Sequence, residues 1–200
     1  MTLSRPGPRA FLVLAMLLLA ATVSQLAVAT FVPGIDRFAG KAFGARLAAY
    51  PLMMLAVPAA WWLRQRATRR HAPAPWGAFA LIMVPFLVDV TGNTLDLYDS
   101  VVWWDDLNHF VNWIPLSAGV GLLLTGGLTR RWQVVLLTAG IGALLAICWE
   151  LGEWYTFIRH GTELNTAYED TLGDEALGTT GGLVAGLLVA FGRRLPDSAP

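Results

Sequence analysis

The residue types able to do chemistry collect in three short stretches of this chain. The first, Trp103-Trp104-Asp105-Asp106-Leu107-Asn108-His109, places a histidine three and four residues after two aspartates, with Asn112 one turn further on. On a helix these spacings share a face. Asp105 or Asp106 can therefore orient and charge the imidazole for acid–base work, or join it on one metal ion. The second stretch, Glu150-Leu151-Gly152-Glu153, sets two glutamates three apart. Like charges that close are relieved by a shared proton, a cation, or a partner such as His109. The third, Glu169-Asp170-Thr171-Leu172-Gly173-Asp174-Glu175, opens a stripe in which Asp170, Asp174, Gly178, Gly182 and Gly186 recur every four residues. Small residues at that spacing let another helix approach closely, and the two aspartates cap the seam at its end.

The candidates for acid–base chemistry are therefore His109, Asp105 and Asp106, and those for metal ligation are Asp106, His109, Glu150, Glu153, Asp170 and Asp174. A carboxylate-rich set with one histidine suits Mg²⁺, Mn²⁺ or Ca²⁺ better than Zn²⁺. Each stretch also has a plainer reading. Asp105 or Asp106 can cap a helix N-terminus, Glu150 and Glu153 can simply reach interfacial water, and the glycine stripe can be packing alone. Asp89 and Asn93, in or beside an apolar run, could join the cluster. Asp96 and Asp99 read as solvated loop residues, and His71 and His160 as surface histidines. The sequence holds no nucleophile elbow, phosphate-cradling glycine loop or H-E-x-x-H motif, so no cofactor-binding residue is assigned.

The elements that position these residues are membrane spans. Of 200 residues 56% are hydrophobic and 14% charged, with nine tryptophans; this is the composition of a polytopic membrane protein. A bilayer core takes roughly 20 helical residues, with about 17 as the lower limit. Apolar segments of that size run over residues 11–32, 47–63, 76–92, 107–128, 134–155 and 175–191. The expectation is an all-α bundle of six spans forming one domain over residues 1–200, with no soluble domain or internal repeat. Pro51, Pro58 and Pro85 fall inside spans two and three, where proline kinks a helix. The connection from Pro33 to Arg46 interleaves apolar and charged residues and suits a short interfacial helix.

Basic residues orient the bundle. Arg5, Arg9, Arg64, Arg66, Arg69, Arg70, Arg130, Arg131, Arg193 and Arg194 fall on one set of connections, and only Arg37, Lys41, Arg46 and Arg159 on the other. That alternation puts both termini in the cytoplasm. Thirteen of the fourteen acidic residues, all but Asp197, then fall in the extracytoplasmic half. Trp61, Trp62, Trp76 and Trp132 mark the inner interface, and Trp103, Trp104, Trp113, Trp149 and Trp154 lie towards the outer one. Glu150 sits about 24 Å along its helix from Val134, with no basic residue before Arg159. The short basic loops are anchors, so no nucleic-acid partner is implied. Arg5, Arg9, the apolar run and Ala27-Val28-Ala29 also fit a cleavable signal, but the run is long for one and an uncleaved first helix is expected. Cys148 is the only cysteine, which excludes an intramolecular disulfide.

The order Trp-Trp-Asp105-Asp106-x-x-His109, Glu150-x-x-Glu153, Asp170-Thr-x-x-Asp174 and a glycine-rich helix resembles the YjdF-like bacterial membrane proteins. More distantly it is similar to the VanZ-like family, associated with glycopeptide resistance, which carries D-K-x-x-H, E-x-x-Q and D-x-x-x-N before glycines. Asp105, His109 and Glu150 match that pattern. Asp106 replaces its lysine and Glu153 its glutamine, and no asparagine follows Asp170 or Asp174 at the required spacing. The resemblance spans about residues 89–186 and brings no established reaction with it.

Three functions fit these observations. The first is an enzyme-like or ligand-handling site at the outer leaflet, in a cavity between spans three to six. It would act on a lipid or polyprenyl-linked envelope precursor, and a divalent cation would offset repulsion between carboxylates and phosphate. The second is a cation- or proton-coupled carrier, which the lack of a matching polar path through the cytoplasmic half disfavours. The third is a structural or partner-binding bundle locked by its polar cluster.

Overall fold

The computed structural model describes residues 7–156, 158–160 and 166–192. Among them the chain forms α1 (Pro8–Phe31), α2 (Phe43–Ala67), α3 (Trp76–Thr94), α4 (Leu97–Ser100), α5 (Trp104–Leu124), α6 (Arg131–Thr156) and α7 (Ala167–Gly192). Two 3₁₀ turns, Asp36–Phe38 and Ile158–His160, complete the described elements, and none is a strand. Six helices, all but α4, are long and apolar enough to cross a membrane. The all-α, six-span expectation holds. Arg5, Glu163, Arg193, Arg194 and Asp197 lie outside the described residues, and so does the side chain of His160.

Local chemistry explains most boundaries. Pro8 opens α1 at a position where a missing N–H costs nothing. Val32 is extended, as the residue before Pro33 prefers, so α1 stops at Phe31. Before α2 the chain turns through Gly40 at φ 78° and Ala42 at φ 50°, and Asp96 at φ 64° separates α3 from α4. The Pro33–Arg46 connection holds only one 3₁₀ turn; α2 then begins at Phe43, earlier than its apolar run suggests. Pro51, Pro58, Pro85 and Pro115 all lie inside helices. Helix α7 begins eight residues before the apolar run that signals it, because Glu169 and Asp170 belong to its first turn. Acids are favourable at that end of a helix, although they lower its hydropathy.

The helices fall into two compact units divided between Val102 and Trp103. In the first, α1 packs against α2 and α3. Ala15, Leu18, Met54, Ala80 and Met83 form its apolar core. Gln25 ties α1 to α3, donating to Thr91 Oγ1 at 3.1 Å and accepting from Thr94 Oγ1 at 2.9 Å.

In the second unit α7 packs against both α5 and α6. Its interior is built in layers four residues, about 6 Å, apart along each helix. The top layer is His109, Glu150 and Asp174, all buried. Four residues inward on each helix lie Trp113, Ala146 and Gly178. A Cβ on Gly178 would stand 2.9 Å from the Trp113 ring and 3.0 Å from Ala146 Cβ. The next layer joins Ser117, Gly142 and Gly182, where a Cβ on Gly142 would come within 2.8 Å of Gly182 Cα. Deeper still, Thr138 fills the space beside Gly121, and Gly186 lies against the Val135 backbone. The glycine stripe is a packing seam, which brings backbones together as small residues do within membranes. Outward faces are apolar: Leu52, Leu136, Leu144, Leu151 and Leu188 are all exposed.

Candidate functional site

The first two turns of α5, the last turns of α6 and the second turn of α7 meet at one end of the second unit. His109, 7% exposed, lies at their centre. Its Nε2 stands 3.6 Å from Asp105 Oδ1 on the same helix and 3.7 Å from Asp174 Oδ2 on α7. Its Nδ1 stands 3.7 Å from Glu150 Oε1 on α6. Both faces of one buried imidazole are thus met by carboxylates, from three helices in all.

Glu150 and Asp174 are 5% and 3% exposed. Glu150 Oε1 is fully buried and has no hydrogen-bond partner among the described residues. Burying an unpaired carboxylate oxygen is costly, so a proton or a cation is called for at this point. Ligand atoms of Asp105, His109 and Asp174 all lie within 4.8 Å of one another, as do those of His109, Glu150 and Glu153. Asn108 is buried beside them and accepts a hydrogen bond from Asn112 Nδ2 at 3.0 Å.

Asp105 and Asp106 are not the N-cap residue of α5, although both sit where acids favour the positive helix end. The N-cap of α5 is Trp103, with no side-chain cap bond, and both aspartates fall in the first turn. Asp106 is exposed, one residue's rotation of about 100° away from Asp105. Asp170 is also exposed, one turn above Asp174 on α7. Of the expected metal ligands, His109, Glu150, Glu153 and Asp174 come together, Asp105 joins them, and Asp106 and Asp170 stay outside both ligand groups.

Asp89 and Asn93 belong to a separate polar knot in the first unit. Asp89 Oδ2 accepts from Arg46 Nη1 at 2.7 Å and from the Tyr50 hydroxyl, while Oδ1 accepts from Tyr98 at 2.9 Å and Asn93 Nδ2 at 3.2 Å. That carboxylate is fully satisfied, and Arg46, Tyr50 and Tyr98 are functional-looking residues that sequence reasoning missed. Asp96 and Asp99 are not simply solvated either. Lys41 pairs with Asp96 at 2.6 Å and also with Asp99. The Lys41 hydrogen bond, with that of Asp99, holds Asp96 below the usual carboxylate range. Burial opposes the charge on Lys41, but the two aspartates outweigh it and raise the lysine above its ordinary value.

A protein-family model described as "Predicted membrane protein (DUF2238)" matches residues 10–194. The chain belongs to this family. All three polar stretches lie inside the matched residues, and the likeness to YjdF-like membrane proteins is borne out with them. The DUF2238 match therefore agrees with the six apolar helices on a multi-pass membrane location. No match was found among curated proteins or solved structures.

Proposed function

We propose that the His109 cluster is a divalent-cation site at the extracytoplasmic face of the bacterial inner membrane, acting on an amphiphilic substrate with an anionic head such as a lipid or polyprenyl-linked precursor. One observation carries this reading. A histidine buried to 7% exposure is bracketed by carboxylates on both ring nitrogens, and one of those oxygens, Glu150 Oε1, has no hydrogen-bond partner among the described residues. The N···O separations of 3.6–3.7 Å are too long for hydrogen bonds. An octahedral edge of that length has legs of about 2.6 Å, the long end of the Ca²⁺ range and well beyond that of Mg²⁺, so the ligands would draw in around a smaller ion. Such an ion would offset the clustered negative charge and present a Lewis acid to a phosphate that bare carboxylates would repel.

Orientation follows from charge. Within the second unit, Arg130 just before α6 and Arg131 at its start lie at the opposite helix ends from the cluster. With both termini inside, the cluster faces outward. The Trp113–Ala146–Gly178 layer beneath it and the Gly142–Gly182 contact below that favour a site served from one end over a transport path through this unit.

Metal analysis of the detergent-purified protein tests the reading. A bound divalent ion, lost in His109→Ala and in chelator, supports it. Absence of metal, with the same variants merely less stable, would leave the cluster as a structural lock.

A further inference from the structure

The two faces of His109 are not equivalent. A neutral imidazole has one lone-pair nitrogen and one N–H, so a cation bound at one nitrogen leaves the other as a donor. Nε2 faces Asp105 and Asp174, and Nδ1 faces Glu150. The two ligand groups, one with Asp105 and Asp174 and one with Glu150 and Glu153, share only His109. They therefore compete for its lone pair, and one ion at His109 cannot draw on both.

Building on the cation reading above, we propose that the ion sits on the Nε2 face, held by Asp105, His109 and Asp174, and that Glu150 is a positioning residue. Closing by about 0.7 Å from the 3.7 Å separation, Glu150 would accept the Nδ1–H and fix the tautomer that turns the Nε2 lone pair toward the ion. Three observations favour this face. The Asp105 side chain is 43% exposed, so this face opens outward and leaves positions for water or substrate; Glu150, at 6%, is closed in. Asp105 and His109 stand four apart on one helix, so their separation is set before α7 brings Asp174. Glu150 Oε1 is a buried acceptor without a hydrogen bond, which an imidazole N–H would satisfy. Charge also balances, since two carboxylates and a neutral imidazole neutralise a divalent ion. A carboxylate behind a metal-bound histidine is a recurrent device for orienting the ring.

The test is Mn²⁺ binding to the full-length protein in detergent, followed by loss of the free-ion electron paramagnetic resonance signal. Asp105→Asn and Asp174→Asn should each weaken binding by more than about 100-fold. Glu153→Gln should change it by less than about 3-fold. Glu150→Gln keeps a carbonyl able to accept the N–H, and its loss should stay near the low end of the roughly 10–100-fold range for such partners. Pulsed resonance should show the directly bound imidazole nitrogen in Glu150→Gln and lose it in His109→Ala.

Binding that survives Asp174→Asn but is abolished by Glu150→Gln and Glu153→Gln places the ion on the other face. That result overturns this assignment and leaves the cation site standing. No Mn²⁺ binding to the wild type overturns both. Asp105 and Glu153 are not fully buried, so that pair of variants decides the face even where Asp174→Asn or Glu150→Gln does not fold.

Discussion

Replacing Gly142 by alanine should loosen the seam beneath the site, while the same change two residues earlier, at Gly140, should not. Both glycines lie in the interior of α6, so the gain in helix propensity is common to both, at up to about 1 kcal/mol. Their surroundings differ. A Cβ on Gly140 meets no atom within 4 Å, whereas one on Gly142 would stand 2.7 Å from Ser117 Oγ and 2.8 Å from Gly182 Cα. The second contact is with backbone and falls 0.6 Å short of the 3.4 Å at which ordinary contact begins, so α6 and α7 must part. Overpacking of this kind costs about 1–3 kcal/mol. With the full propensity gain set against it, Gly142→Ala should therefore be destabilised by up to about 2 kcal/mol net and melt up to about 8 °C below wild type for a chain of this size. Gly140→Ala should be unchanged or stabilised by up to about 1 kcal/mol. Tryptophan fluorescence during thermal unfolding in detergent reads both. If Gly142→Ala melts at or above Gly140→Ala, the close approach of α6 and α7 is not as described, and the layered account of the second unit fails with it.

Three further outcomes are expected. Arg46→Ala strands Asp89, both side chains being about six-sevenths buried at 16% and 14% exposure, and should cost about 3–5 kcal/mol. The double change Arg46→Met with Asp89→Leu should recover most of that loss in the same melt, and a single variant within about 1 kcal/mol of wild type would argue against the knot. The Lys41–Asp96 pair should be pH-sensitive. Its folded-state aspartate lies low, so its contribution is full at neutral pH and disappears as pH falls from the ordinary carboxylate range through the depressed folded value. The raised lysine carries the pair past the ordinary lysine range before it is lost at high pH. The melting gap between wild type and Asp96→Asn should accordingly shrink between pH 7 and pH 3, and a constant gap would speak against the pairing. Finally, Glu150→Gln removes a carboxylate that lacks a hydrogen bond at Oε1. In chelator it should melt at or above wild type, and with Mn²⁺ at 100 times the wild-type Kd the order should reverse, since the wild type gains about 2.7 kcal/mol and a variant binding about 10-fold more weakly gains only about 1.4. The same order with and without Mn²⁺ would count against the cation.

The spans were legible because continuous hydropathy is a local signal, and the α7 stripe because a four-residue period survives in one helix. What Asp174, Gly178, Gly182 and Gly186 pack against was not legible. That Ser117 meets Gly142, and Thr138 meets Gly121, depends on the register of two antiparallel helices, which no single segment encodes. Helix α7 starts at Ala167, ahead of its apolar run, because a hydropathy window discounts the acids that suit a helix N-terminus. His109, Glu150 and Asp174 could be singled out as ionisable groups in apolar surroundings. Choosing Asp105 over Asp106 as the partner of His109 required the actual rotation of α5. Arg46, 43 residues from Asp89, left no local trace of its pairing.

The most direct test of the central claim is the metal content of the purified wild-type protein beside His109→Ala and Asp174→Asn, with melting curves of each in Mn²⁺ and in chelator. The account predicts about one divalent ion per wild-type chain, little or none in either variant, and a melting temperature that rises with Mn²⁺ in the wild type alone. Wild-type protein that takes up no ion, and whose melting is indifferent to Mn²⁺ while both variants melt lower, would contradict it.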